Sequence, residues 1–458
     1  MPFPLPLTPF ERYYLADDSP EYPTTIPVEV LLSGALEEAA FRRALARNVS
    51  RHPLMHSLVA DGPAGPQWVA CEGLDPFLDW AEAGTPIGHP DGEFIDLRKF
   101  PGLRIWVRTS PNEAQLLIQL HHACCDGIAT LQFIGDLLAL YAEEQQGLPP
   151  NSLLDDLPIE RLLDRAAVDT SAPGFAPWYA GLRDLWVTAR VWGRVLFRRC
   201  CALAPPVRRD RPNDPSAAQP PAREFLAFET HLLSAEQTRQ LKKAAAARSV
   251  STNDLLLRDA LVTIRQWNAS AGGRRTGPCR INMPVYVRGR SVPPIPASNG
   301  IGFSFVTVDP DQKSDEAILD LVREQTQQIK QWKLALYFLG GLAATGNYPR
   351  LIRWVLKRDR PLATMVLSNL AQVLTTSPLP RREDGRLICG NVVLEHIAGV
   401  PPVRPLTRAS MVVMEYGGQL AIALRCDTHA FRPQDTRALL DAFVTQVCAA
   451  NGSLWCEL

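Results

Sequence analysis

The chain has 458 residues, and 48 Lys plus Arg are matched by 48 Asp plus Glu, so the formal net charge is zero. That balance argues against a nucleic-acid binder, which needs a surplus of basic residues on one face to neutralise phosphates. Hydrophobic residues at 46% and charged residues at 21% exclude disorder over most of the chain and are ordinary for a globular enzyme.

Domains of roughly 150 residues, with α/β units often exceeding about 200, make two units the working expectation. The ten cysteines are scattered, with adjacent pairs at Cys124-Cys125 and Cys200-Cys201. No Cys-x-x-Cys occurs and no Cys/His cluster has zinc-ligand spacing, so free thiols in a reducing compartment are expected, and no metal. The start, Met1-Pro-Phe-Pro-Leu-Pro-Leu, has no basic run and no small-residue cleavage site, which points to a cytoplasmic protein. The uncharged stretch Pro361 to Pro380 carries Ser368, Asn369, Gln372 and Thr375. Leu334 to Pro349 is short and broken by Gly340-Gly341. Neither reads as a membrane span.

In chain order, Ile26 to Leu32 reads as a strand and Leu36 to Val49 as a helix, with Phe41, Leu45 and Val49 spaced by four. Leu103 to Ser110 and Ala114 to Leu120 read as a strand pair about a turn at Pro111-Asn112-Glu113. Gly127 to Glu144 follows as a helix with Ile128, Leu131, Ile134, Leu138 and Tyr141 on one face. Ala204 to Arg223 is proline-rich, cannot sustain helix or central strand, and reads as a linker. Beyond it, Phe225 to Leu232 is a strand candidate, and Ser251 to Trp267 a helix opened by a capping box of Ser251 with Asp254. Cys279 to Val287 reads as a strand and Ser314 to Lys330 as a helix. Thr364 to Leu367, Ile388 to Leu394, Ser410 to Glu415 and Gly418 to Arg425 read as strands, and Gln434 to Ala449 closes as a helix. The class is α/β or α+β, with a first lobe over 1–170, a helical insertion and linker over 171–223, and a second lobe over 224–458.

The segment with the most chemical content is Leu120-His121-His122-Ala123-Cys124-Cys125-Asp126-Gly127. A strand feeds a His-containing loop that feeds a helix, so a stiff element fixes side chains at an edge or crevice. A His-His pair alone leaves three readings open. The rings are structural, they bind a metal, or one is a general base, since imidazole moves a proton near neutral pH. Adjacent residues at a strand end face opposite sides, which disfavours one metal shared by both rings.

The pattern His-His-x-x-x-Asp-Gly, complete at His121, His122, Asp126 and Gly127, resembles the motif of the CoA-dependent acyltransferase superfamily. That group includes chloramphenicol acetyltransferases, wax ester synthase/diacylglycerol acyltransferases and the condensation domains of nonribosomal peptide synthetases. Leu7-Thr-Pro-Phe-Glu-Arg-Tyr, Arg51-His-Pro-Leu-Met-His, Phe100-Pro-Gly-Leu-Arg-Ile-Trp-Val-Arg, Met283-Pro-Val-Tyr-Val-Arg and Ser298-Asn-Gly-Ile-Gly-Phe are similar to its other segments, and the likeness is weakest over Pro150 to Ala222. It implies two lobes of the chloramphenicol-acetyltransferase type, each a mixed sheet flanked by helices, with a channel between them. It also implies that His122 is the base, that His121 packs, and that Asp126 makes a structural salt bridge with Arg288. Gly127, without a Cβ, would leave room for substrate beside His122. Ser368 and Asn369, a Ser-Asn after a strand, are oxyanion or substrate-contact candidates. Cys124 and Cys125 invite a Cys-His nucleophile reading, but these positions vary in the superfamily and are expected to pack.

The reaction implied is transfer of an acyl group from a thioester to a hydroxyl or amine, with no bound cofactor and with acyl-CoA as donor substrate. The alternatives are a stand-alone condensation domain served by a phosphopantetheinyl acyl carrier protein, and a non-catalytic binding protein on the same scaffold. Ala176 to Ala202 carries Trp178, Trp186 and Trp192 with Arg190, Arg194 and Arg198 spaced by four. It reads as a peripheral membrane contact, a lid over a lipophilic tunnel, or a helix packed on the first lobe.

Overall fold

The structure is a computed structural model, and it describes residues 3–63, 65–167, 186, 187, 189, 190, 192, 193, 197–206, 225–271, 277–288, 294–311, 314–345, 356 and 361–450. Its strands are β1 (Leu5–Pro6), β2 (Thr25–Ser33), β3 (Ser57–Gly62), β4 (Gly65–Ala70), β5 (Phe77–Glu82), β6 (Leu103–Thr109), β7 (Glu113–His121), β8 (Glu229–Leu233), β9 (Cys279–Tyr286), β10 (Ile301–Val308), β11 (Met365–Gln372), β12 (Ile388–Cys389), β13 (Val392–Gly399), β14 (Ala409–Tyr416) and β15 (Gln419–Cys426). Its helices are α1 (Pro9–Asp17), α2 (Glu38–Arg51), α3 (Gly127–Gln146), α4 (Ala235–Ala247), α5 (Thr252–Ser270), α6 (Asp315–Gln331), α7 (Leu334–Thr345) and α8 (Pro433–Ala450).

Two six-stranded mixed sheets organise the chain, in the orders β12-β13-β2-β7-β6-β5 and β10-β9-β11-β14-β15-β8. The apolar runs of β7 and β14 sit inside their sheets and are buried on both faces. Helices α2 and α3 pack together in the first lobe, and α5 packs against α6 and α8 in the second. This two-lobed mixed architecture is the one expected. Asp126 caps α3 by accepting from the Ala129 N–H at 2.9 Å, and Gly147 ends it in the left-handed region with φ 64°. The Ser251–Asp254 capping box opens α5. Gly302 lets α7 lie close on β10, because a Cβ there would be 2.6 Å from the Ala335 carbonyl oxygen.

Four expectations need correction. The linker position assigns 224–458 to the second lobe, yet β12 and β13 leave it and extend the first sheet. β13 runs antiparallel to β2 from Val393↔Ser33 to Gly399↔Val28. Without it β2 would be an edge strand with open backbone groups. The single strand expected over Ile388 to Leu394 is broken at Gly390, whose φ of 63° turns β12 into β13. The strand expected from Phe225 starts only at Glu229, because Phe225 packs edge-on to Trp106 at 5.2 Å and the Leu226 N–H donates to Glu93 at 2.7 Å. Free thiols are found at both adjacent cysteine pairs, but Cys448 is disulfide-bonded, a pairing for which the scattered spacing carries no signal.

Tyr416 ties the crossing segment to the second sheet. Its buried hydroxyl accepts from the Leu387 N–H at 2.7 Å and donates to the Leu394 carbonyl at 2.8 Å. Tyr416→Phe leaves both backbone groups short of a partner. It should lower stability by about 1–3 kcal/mol, read as a reduced urea midpoint at unchanged slope.

Candidate active site

β7 delivers His121 and His122 to the end of the first sheet, and the backbone there is pinned on both sides. The His121 N–H donates to the Gly102 carbonyl and the His122 N–H to the Thr24 carbonyl, each at 2.8 Å. The two side chains then diverge. His121 is fully buried, and its Nδ1 accepts from the Ala123 N–H at 3.1 Å. That contact puts the ring proton on Nε2, which faces the Asp18 carboxylate at 3.2 Å. Asp18 in turn accepts from the Thr24 N–H at 2.8 Å.

His122 faces a cavity at the seam of the lobes and is 4% exposed. Its ring stacks on Tyr14, with centroids 3.9 Å apart and planes 14° from parallel, and the Tyr14 hydroxyl is 3.0 Å from Nε2. Either group can be the donor in that hydrogen bond, according to the tautomer of the ring. Nδ1 has no hydrogen-bond partner among the described residues. Burial pushes the imidazole down to about 4, and it pushes the Tyr14 phenol well above its ordinary value. Both rings are therefore uncharged at neutral pH.

The second lobe grips the turn after His122 by its backbone. The Asn299 amide donates to the carbonyls of His122 at 2.9 Å and Ala123 at 2.8 Å, and the Gly300 N–H donates to Asp126 at 2.5 Å. His52 secures the same loop from the first lobe, accepting from the Ala297 N–H at 2.9 Å while its Nε2 faces Asp136 at 3.0 Å.

The expected salt bridge between Asp126 and Arg288 is absent. Asp126 is occupied by the Ala129 and Gly300 N–H groups, and Arg288 donates instead to Ser298, to the Asn299 carbonyl and to the Arg165 carbonyl at 2.9 Å. Arg288 thus braces the loop that Asp126 binds. Burial raises the Asp126 carboxyl, opposed by those N–H groups and by the nearby Arg288 charge.

A Cβ at Gly127 would meet the Leu370 side chain at 3.3 Å, so its absence lets Leu370 pack close to the start of α3. Ser368 and Asn369 do not line the His122 cavity. Asn369 is used locally, where β11 shifts register against β14. Its Oδ1 accepts from the Ala371 N–H at 2.9 Å, and its amide reaches Asn253 at 3.3 Å. Cys124 and Cys125 are fully buried, and burial holds Cys124 well above the usual thiol range and Cys125 at about 12. Neither supplies a thiolate.

The cavity has a volume of about 80 Å³ and largely apolar walls. One wall is the second sheet, through Asn282, Pro284, Phe303, Phe305 and Val366. Another is α1, through Tyr13, Tyr14 and Asp17. Arg404 forms a half-buried ion pair with Asp17, with one bond at 2.8 Å, so these two charges of the lining neutralise one another. Trp192 closes a third side, stacked on Phe338 of α7 at 4.8 Å and 9°.

Of the insertion singled out in the sequence, Trp178 and Arg194 lie outside the described residues. Trp186 is exposed with the Arg190 guanidinium over its ring at 5.1 Å, whereas Trp192 turns inward. No helix among the described residues is long and apolar enough to cross a membrane. Tyr14, Asn299 and Asn282 were not singled out as site residues from sequence. Tyr14 adjoins the noted Leu7-to-Tyr13 segment, Asn299 lies within the noted Ser-Asn-Gly, and Asn282 is a polar residue on an alternating strand.

No protein-family model matches the chain. An uncharacterized protein of Mycobacterium tuberculosis is 24% identical over 386 residues, 81% of this chain and 83% of that one. CymA of Salinispora arenicola, a probable nonribosomal peptide synthetase, is 31% identical over 139 residues, which is 27% of this chain and 2% of the synthetase. Among solved structures, a variant of the starter condensation domain of rhizomide synthetase RzmA in complex with C8-CoA matches with a TM-score of 0.65. It is 15% identical, over 98% of this chain and 95% of that one. Polyketide synthase associated protein 5 from Mycobacterium tuberculosis matches with a TM-score of 0.61 at 17% identity, over 97% of each chain. The chain has the two-lobed fold of condensation domains and CoA-acyltransferase-like proteins.

Because Asp126 serves two partners, Asp126→Ala removes the α3 cap and leaves the buried Gly300 N–H without an acceptor. Together these should cost about 2–4 kcal/mol, measured by chemical denaturation. A loss near zero would mean that the loop is held without it.

Proposed function

We propose that the protein transfers an acyl group from a thioester, acyl-CoA, to a hydroxyl or amine, with His122 as general base. The observation that carries this reading is a desolvated, uncharged imidazole lining an apolar cavity between two lobes of condensation-domain fold. The similar RzmA domain binds C8-CoA, which makes an acyl-CoA the first donor to test.

An alcohol is a weak nucleophile at pH 7, and a positioned base typically supplies ~10²–10⁴ in rate. His122 takes the proton of the acceptor as its oxygen or nitrogen bonds to the thioester carbon. The tetrahedral intermediate collapses with cleavage of the C–S bond, and the imidazolium returns its proton to the departing thiolate. Both substrates meet in one crevice, so no acyl-enzyme is needed. The aromatic and aliphatic lining suits a medium or long acyl chain better than acetyl. His121 would hold the strand end in place through Asp18. Asp126 and Arg288 would hold the loop that grips His122.

A second reading is favoured by the partial match to CymA: a stand-alone condensation domain taking its acyl group from a phosphopantetheinyl carrier protein. The two differ in donor, and turnover with acyl-carrier but not acyl-CoA decides for the second.

A panel of acyl-CoAs assayed by thiol release should favour octanoyl over acetyl, and a preference for acetyl would sink the lipid version. His122→Ala should lower kcat by ~10²–10⁴, and wild-type turnover in that variant removes the base assignment. The pH dependence has a defined sign. The folded ring at about 4 lies below its ordinary 6.5, so kcat/KM for the free enzyme should be level through neutral pH and fall only as pH approaches 4. The same shift makes the fold lose stability as pH drops from 6.5 toward 4, because the unfolded ring binds a proton there and the folded one does not. An acid limb near 6.5 would contradict the burial of the ring.

A further inference from the structure

β9 alternates between two environments. Ile281 and Met283 belong to the core of the second lobe, while Asn282 and Pro284 line the His122 cavity. The neighbours of Asn282 across the sheet are Phe305 on β10 and Val366 on β11, which also line it. A carboxamide thus sits where the strand pattern calls for an apolar side chain.

Asn282 is 8% exposed, and its amide makes no hydrogen bond among the described residues. Oδ1 is sealed from solvent, so with the amide oriented as it stands, Nδ2 is the end that meets the cavity. Other polar groups there are engaged. Asp17 pairs with Arg404, Tyr14 lies against His122, and the Thr407 hydroxyl donates to the Ala363 carbonyl at 2.9 Å. The indole N–H of Trp192 also has no partner among the described residues but is closed off against Gly341. A buried amide without partners is a standing cost to the fold, and a ligand that supplies an acceptor relieves it.

We propose that Asn282 is the oxyanion donor of this site, its Nδ2 hydrogen-bonding the carbonyl oxygen of the acyl thioester. The proposal rests on the acyl-transfer reading above. As the acceptor atom bonds to the carbonyl carbon, the C=O π pair moves onto oxygen and the Nδ2–H···O bond strengthens. When that pair returns, the C–S bond breaks and the thiolate takes the proton held by His122. A neutral donor suits an acyl carbonyl. A carboxylate would bring a full charge into an apolar wall where Arg404 is already neutralised by Asp17. Asn282 takes the part that the sequence assigned to Ser368 and Asn369, which lie off the cavity.

The test uses the full chain with Asn282→Leu, which keeps the bulk, and Asn282→Ala, which leaves the space. With octanoyl-CoA and an alcohol acceptor, both variants should lose ~10²–10³ in kcat, with KM for the donor raised by no more than about 10-fold. The thermal midpoint of the Leu variant should equal or exceed that of the wild type, since an unpaired polar atom is removed. A kcat within a few-fold of wild type in both variants overturns the proposal. So does loss in the Leu variant alone, which marks a steric block. Binding of S-(2-oxononyl)-CoA, an uncleavable ketone, is measured separately by calorimetry and should weaken by about 10-fold in each variant. If the wild type turns over no acyl-CoA but this ketone effect holds, acyl transfer fails and the carbonyl contact stands. If the wild type does not bind the ketone, both fall.

Discussion

The carboxamide of Asn299 holds the backbone on which the rest of the site depends. It reaches from the second lobe to two successive carbonyls of the first, at His122 and Ala123, while the next residue's N–H binds Asp126. The grip is on main-chain atoms, so it fixes the path of the turn whatever side chains the turn carries. The loop that provides the grip is itself braced by His52, by Arg288 and by the Gln132 amide on the Ile295 carbonyl at 3.0 Å. The position of the imidazole is therefore a joint property of both lobes, and its orientation is set before any ligand arrives.

That placement has an electrostatic consequence. A ring pushed down to about 4 by burial is a reluctant proton acceptor, yet it is wholly in its free form at neutral pH. Under the proposed chemistry the reluctance is greatest before reaction. Charge separation then changes the local field, because negative charge gathers on the carbonyl oxygen in the same cavity where the imidazolium forms, and opposite charges at short range raise the basicity of the ring. The face of Tyr14, stacked 3.9 Å from the imidazole centroid, favours the cation in the same direction. An apolar cavity strengthens both effects, since little solvent is present to screen them.

Much of the fold was legible because its strands and helices obey simple periodicities. The Gly127-to-Glu144 pattern became a helix over Gly127–Gln146, and the Ala114-to-Leu120 run a strand over Glu113–His121. The failures have a common cause. Strand exchange between lobes leaves no local trace, because β13 pairs with a strand some 360 positions earlier and its pattern is that of any half-buried strand. The Asp126–Arg288 pairing was implied by resemblance, but which carboxylate a buried arginine reaches is decided by a loop conformation that spacing does not encode. Ser368 and Asn369 were picked out by resemblance, and β11 keeps its regular register against β14 through both of them before it shifts between Asn369 and Ala371. Asn282 carried a weak local signal, a polar residue on the alternating face of a strand, which acquires meaning only once that face is known to meet His122.

Under the proposed chemistry, the crossing strand also constrains how the cavity would admit an acyl chain. A volume of about 80 Å³ is small for such a guest. Parting the lobes would break the β13–β2 ladder and the Tyr416 bonds that anchor the segment, a concerted loss of many backbone hydrogen bonds. The Trp192–Phe338 contact is a single aromatic stack, worth about 0.5–1.5 kcal/mol beyond the area it buries. Displacing that wall costs far less than separating two sheets tied by a shared strand. Of the walls, Trp192 alone would yield more cheaply than α7, whose Phe338 also packs on Phe303 and Phe305, and a guest entering past it would leave the backbone clamp on His122 untouched.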